Sequence, residues 1–265
     1  MRGPVTDVLA RGRVAATIDP GRGARLTSLT INGLELLAHA ENPATDPTIA
    51  DGCFAMVPWA GRVRDGLLRV DGGVHQLPVT DGPNALHGLG HRRTWSRVDE
   101  GRYQVDIGDP WPSSGTAELV YTLLDDGLRI DLSWTDGTDL PCSIGLHPWF
   151  HRRLDRGDDA VLRLDAEAMV ERGADALPTG ALVEPTAGPW DDCFRVGSDP
   201  VLTWPGALEL TLAADTAWWV VYDQPAGTIC VEPQTAPPDA FDHPGLRPPG
   251  EWARSIRLEL RGRPL

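Results

Sequence analysis

Lysine is absent from this chain of 265 residues; all 24 basic residues are arginine. Without lysine there is no Schiff-base nucleophile, no pyridoxal phosphate anchor and no phosphate-loop lysine. Basic charge is also outweighed, by 38 acidic residues, for a net charge of −14 and an isoelectric point near 4.8. That sign opposes binding to nucleic acid or to an anionic membrane surface, so a small neutral or locally neutralised ligand is expected. No stretch approaches 18 apolar residues, and Met1 to Val14 is studded with arginine and lacks an apolar core. Neither a membrane span nor a secretory leader is expected. Cysteine is sparse: Cys53, Cys142, Cys193 and Cys230 are far apart, with no C-x-x-C pair. This predicts reduced thiols and a cytoplasmic location rather than a disulfide framework.

Helical periodicity is scarce too. The best helix candidate is Asp165 to Ala176, and its period is poor. What is present is period two, in Arg13–Ile18, Arg102–Ile107, Thr116–Leu123, Leu128–Trp134, Leu208–Leu212 and Ser255–Leu260. Strict alternation over Leu128 to Trp134 places one face inside and one in water. Asp126-Gly127 reads as a hairpin loop, and Asp71-Gly72-Gly73 joins Leu67–Val70 to Val74–Leu77 in the same way. The 24 prolines and 29 glycines suit many short strands joined by turns. The expected fold is all-β, one large antiparallel β-sandwich domain spanning residues 1–265, interrupted by loop-rich zones at 40–66 and 233–249.

Five segments carry candidate chemistry. In Gly145-Leu146-His147-Pro148-Trp149-Phe150, an imidazole follows an apolar strand and can transfer protons near neutral pH; it can equally cap the strand. In Cys230-Val231-Glu232-Pro233-Gln234, a carboxylate ends a strand, either as a base aimed into a pocket or as a solvated end. In His87-Gly88-Leu89-Gly90-His91, the glycines allow close approach to a ligand. The H-x-x-x-H spacings of His87/His91 and His147/His151 raise a metal question, but in extended chain their members lie ~13 Å apart, so no metal is expected. Arg62 offers a guanidinium fork to hydroxyls or an anion, whereas Arg64 reads as a surface residue. Asp191 and Asp192, adjacent on an extended chain, should point opposite ways and cannot form a glycosidase pair. Most of the ten tryptophans should fill the core.

Taken in order, these segments resemble the aldose 1-epimerase (galactose mutarotase-like) family. The match runs from Gly23-Ala24-Arg25-Leu26 through Met56-Val57-Pro58-Trp59-Ala60-Gly61-Arg62, His87-Gly88 and the His147 segment. It continues in Asp191 ahead of Phe194 and ends in Glu232-Pro233-Gln234-Thr235 with Pro238-Asp239-Ala240-Phe241. The resemblance implies the family's supersandwich fold, no cofactor and a small-molecule sugar substrate. It implies that Glu232 removes the anomeric proton, His147 protonates the ring oxygen and His87 supports the reacting region. Arg62, Asp191 and Trp149 would hold the sugar. Two positions depart: Gly61 stands where the family often has asparagine, and Trp149 where it often has tyrosine. Two alternatives stay open. One is a mutarotase for a phosphorylated or sulfonated sugar, using Arg92-Arg93 and Arg152-Arg153. The other is a non-catalytic carbohydrate-binding protein. A monomer or homodimer is expected in either case.

Overall fold

A computed structural model describes residues 6–39, 49–70 and 72–265. Residues 1–5 of the N-terminal segment, residues 40–48 of the first loop-rich zone and Asp71 of the short turn lie outside the described residues.

Period two yields two large antiparallel sheets, of eleven and eight strands, with two small two-stranded ribbons among the described residues. The larger sheet runs from Asp7–Arg11 through Val14–Asp19, Arg25–Ile31 and Cys53–Met56 to Gly145–His151. It continues through Thr228–Gln234, Trp218–Tyr222, Asp191–Val196 and Ala166–Arg172 to Pro178–Val183, with Leu34–Glu35 beside Arg25–Ile31. The smaller sheet is built around the hairpin of Gly115–Leu123 and Gly127–Thr135, followed by Ser255–Pro264 and Leu208–Ala214. Leu124 N–H donates to Gly127 O at 2.8 Å, closing the expected hairpin.

The inner faces of the two sheets share one apolar core. Leu146, Phe150, Phe194, Trp219 and Val231 of the larger sheet join Ile130, Leu132, Trp134, Leu210 and Leu258 of the smaller. Truncating a fully buried member such as Leu132 to alanine should cost about 2–5 kcal/mol. Trp59, Trp95, Trp134, Trp204 and Trp219 are fully buried, in keeping with the core role expected for most tryptophans. All four cysteines are free and buried. No helix among the described residues is long and apolar enough to cross a membrane.

Two sequence expectations are corrected. The best helix candidate, Asp165 to Ala176, instead contains the strand Ala166–Arg172, paired on both sides. Its alanine, glutamate, methionine and arginine residues favour helix intrinsically, but ladders offered by both neighbours override that weak preference. The loop zones also hold strand: Cys53–Met56 and Arg62–Val63 lie in the first, and Pro233 and Gln234 close Thr228–Gln234.

Candidate active site

Alternation puts every second side chain of the larger sheet on the face away from the core, and register aligns them across strands. Gly145 pairs with Gln234 and Trp149 with Cys230, so His147 sits directly across from Glu232. His147 also pairs with Phe54, and Glu232 with Val220. One residue pair along, Cys230 faces Tyr222 and Tyr222 faces Asp191. The sheet itself therefore brings together side chains as far apart in sequence as Phe54 and Glu232.

These rows floor a cavity of about 300 Å³, at the lower end for small-ligand sites. Its wall includes all six residues expected from sequence: Arg62, His87, His147, Trp149, Asp191 and Glu232. Asp81, Arg172, Asp192, Tyr222, Gln224 and Gln234 add to its polar lining.

At the floor, His147 Nε2 lies 3.2 Å from Glu232 Oε1, with both side chains buried. The imidazole stacks against Phe54 at 4.6 Å between ring centroids and against Trp149 at 5.4 Å. Burial, reinforced by the Arg25 guanidinium, pulls His147 down to about 3. Arg25 is wholly buried, paired to Asp51 at 2.6 Å and set over the Phe54 ring at 4.8 Å. Burial likewise pushes the Glu232 carboxyl well above its usual range, aided by the negative charge of Asp191; Gln234 and Arg62 oppose this only in part. The free protein thus favours a neutral imidazole beside a protonated carboxyl. The alternative form, a carboxylate beside an imidazolium, is the one that the roles implied by the resemblance require. Both forms carry one proton, so the two residues titrate as a coupled pair.

His87 adopts a left-handed backbone (φ 57°) before Gly88 (φ 75°). A Cβ on Gly88 would sit 2.2 Å from Val57 O, so this turn requires glycine. Gly61 N–H donates to His87 Nδ1 at 3.3 Å, leaving Nε2 as the protonated nitrogen of a neutral ring. Burial and the neighbouring His147 and His91 hold His87 well below its ordinary value. His87 meets His147 edge-on at 5.0 Å.

An alternating charge chain also lines the cavity. Asp81 pairs with Arg62 at 2.6 Å, Arg62 approaches Asp191 at 3.9 Å, and Arg172 contacts Asp191 at 3.2 Å and Asp192 at 2.8 Å. The expectation that Asp191 and Asp192 point apart is corrected. The Asp192 carboxylate curls back to accept from Asp191 N–H at 3.2 Å, and both carboxylates converge on Arg172. Burial raises Asp191 despite its two arginine partners. Trp149 Nε1 and Gln234 Oε1 are buried and have no hydrogen-bond partner among the described residues. They supply a donor and an acceptor to any hydroxylated occupant.

The metal expectation rested on extended geometry, which holds for His147 and His151 but not for His87 and His91. A 3-10 turn over Gly90–Arg92 brings His91 Nδ1 to 3.1 Å from His87 O. Among the described residues, the group whose donor atoms converge closely enough to hold an ion is instead His147, Cys230 and Glu232. Sequence reasoning also missed Arg172, hidden in the supposed helix, and the long-range influence of Arg25. Arg64 is not a simple surface residue, since it pairs with Asp175 and lies 3.6 Å from Asp239.

Residues 9–241 match the family model described as Aldose 1-epimerase. The chain belongs to the aldose 1-epimerase family. It is 28% identical to the uncharacterized protein YihR of Escherichia coli (strain K12), over 88% of this chain and 85% of that one. Its fold is similar to that of a galactose mutarotase-like protein from Clostridium acetobutylicum. The TM-score is 0.81 at 17% identity, covering 97% of this chain and 95% of that one. A galactose 1-epimerase from Lactobacillus acidophilus NCFM superposes with a TM-score of 0.76 at 16% identity, covering 98% and 94% of the two chains. Aldose 1-epimerase membership and a galactose mutarotase-like sandwich therefore both follow from residues outside any one motif.

Proposed function

We propose that this family member is an aldose 1-epimerase that interconverts the α and β anomers of a free hexose by acid–base ring opening. The observation that carries the reading is the buried His147–Glu232 contact of 3.2 Å on the floor of a cavity sized for one small ring. A hemiacetal has two oxygens on one carbon, and mutarotation needs one to lose a proton while the other gains one. Two proton-transfer groups in contact suit that demand.

Glu232, as carboxylate, removes the proton of the anomeric hydroxyl, and His147, as imidazolium, protonates the ring oxygen. The C1–O5 bond breaks and a free aldehyde forms. This step leaves Glu232 protonated and His147 neutral, the state that burial favours. Rotation about C1–C2 presents the other face of the carbonyl, and closure returns both protons. Before ring opening, hydroxyl donors of the bound sugar stabilise the carboxylate and draw the shared proton onto His147. His87 Nε2–H donates toward the reacting oxygens. Arg62 and Asp191 hold hydroxyls, and Trp149 presents an apolar ring to the sugar.

A neutral sugar fits this cavity better than an anionic one. Arg62 and Arg172 are matched there by Asp81, Asp191 and Asp192. The arginine pairs considered from sequence do not line it: Arg153 pairs with Asp159, Arg152 donates to Asp223 O and Thr228 O, and Arg93 donates to Asp106 O. The test is optical rotation of freshly dissolved α-glucose and α-galactose, beside hexose phosphates and sulfonates. Faster relaxation of the free sugars is expected. Faster relaxation of only the anionic sugars overturns the substrate class, and no acceleration of any sugar overturns catalysis.

A further inference from the structure

We infer that His147, Cys230 and Glu232 form a tridentate site for a soft divalent cation, Zn²⁺ or Cd²⁺, whose binding blocks the acid–base pair. Cys230 and Glu232 are two residues apart on one strand, so both side chains leave the same face; His147 faces them from the adjacent strand. Their donor atoms all lie within 4.8 Å of one another. A tetrahedral ion held at about 2.0–2.1 Å by nitrogen and oxygen spaces those two atoms about 3.3 Å apart. The observed His147 Nε2 to Glu232 Oε1 separation is 3.2 Å, so this edge of the site is already formed. A thiolate at about 2.3 Å from the ion would lie about 3.5 Å from the nitrogen, which asks at most about 1.3 Å of closure from Cys230.

The donor set selects the ion. Imidazole with thiolate suits zinc and cadmium and disfavours the hard oxygen-seeking cations. The thiol and carboxyl release their protons to solvent on coordination. His147 and Glu232 line the cavity, so its water completes the shell, and a sugar seated there competes with the ion for both side chains. Cys230 pairs with Trp149 and with Tyr222 and is wholly buried, so the ion reaches it through the cavity that His147 and Glu232 line.

The inhibitory part of this inference rests on the proposed function; the binding part does not. The experiment titrates Cd²⁺ into metal-free protein, following the ultraviolet cadmium–thiolate charge-transfer band and, in parallel, hexose mutarotation. One equivalent should develop the band, mutarotation should fall with the same titration, and excess sugar should weaken the inhibition. Cys230→Ser should abolish the band, whereas Cys193→Ser should retain it. A band that survives Cys230→Ser, or none in the wild type at saturating Cd²⁺, overturns the site. If Cys230→Ser does not fold, Glu232→Gln supplies the second test. It retains the thiol but loses the anionic oxygen, and should weaken Cd²⁺ binding roughly tenfold or more. Unchanged affinity there also overturns the site. A Cys230-dependent band in a protein without mutarotase activity leaves the metal site standing and removes the sugar reading.

Discussion

Burial shifts Glu232 and His147 in opposite directions, which predicts a stability plateau with two falling edges. Their ordinary values are 4.5 and 6.5; in the folded protein the histidine lies at about 3 and the carboxyl well above its usual range. Between pH 4.5 and 6.5 the unfolded pair carries one proton, on histidine. The folded pair also carries one, on the carboxyl, so the pair contributes no slope. Below pH 4.5 the unfolded pair binds two protons and the folded pair one. Stability then falls with pH by about 1.36 kcal/mol per unit, or about 2 kcal/mol by pH 3. Above pH 6.5 the unfolded pair binds none, and stability falls as pH rises until the folded carboxyl ionises.

Glu232→Gln leaves only the depressed histidine. Its contribution is fully present above pH 6.5 and lost as pH falls to about 3, a total of about 5 kcal/mol. His147→Asn leaves only the raised carboxyl, whose contribution is fully present below pH 4.5 and lost as pH rises. Urea unfolding from pH 4 to 8 measures this as variant minus wild type, so that titration of remote groups cancels. From pH 6.5 down to 4.5, Glu232→Gln should lose about 2.7 kcal/mol relative to wild type. Parallel curves across that window would refute the one-proton pair.

Three further outcomes are expected. The kcat/KM profile should be broad, with His147 forming the acid limb near pH 3 and the raised carboxyl the alkaline limb; polarimetry of each variant's residual activity reads which limb each removes. Gly61→Asn, which restores the residue common in the family, should destabilise by about 1–3 kcal/mol on urea unfolding, because Gly61 has φ 68° and an added Cβ would meet Pro238 at 2.7 Å. Exhaustive chelation should not lower mutarotation, and a loss restored only by zinc would contradict catalysis by side chains alone.

Period two revealed the sandwich because each half-buried strand prints its alternation directly, as Leu128 to Trp134 does. Ala166–Arg172 did not, since its residues favour helix and only the neighbouring strands make it extended; Arg172 was lost with it. The six cavity residues were legible one by one because five of them stand beside a proline or glycine that punctuates the chain: Arg62, His87, His147, Trp149 and Glu232. Their contact was not, because the register joining His147 to Glu232 depends on pairing between distant segments. The charge state was least legible: Arg25 is 122 residues before His147, and only folding places its charge where it depresses the imidazole. The convergence of Asp191 and Asp192 likewise needed a side chain that curls back against strand alternation.

Polarimetry of wild type beside Glu232→Gln tests Glu232 as the proton acceptor of a mutarotase. Fresh α-hexose is followed to anomeric equilibrium, with circular dichroism confirming that the variant is folded. Rapid relaxation is expected with wild type, and a kcat about 10²–10⁴-fold lower in the variant. A folded Glu232→Gln protein that relaxes the sugar at the wild-type rate would contradict that role.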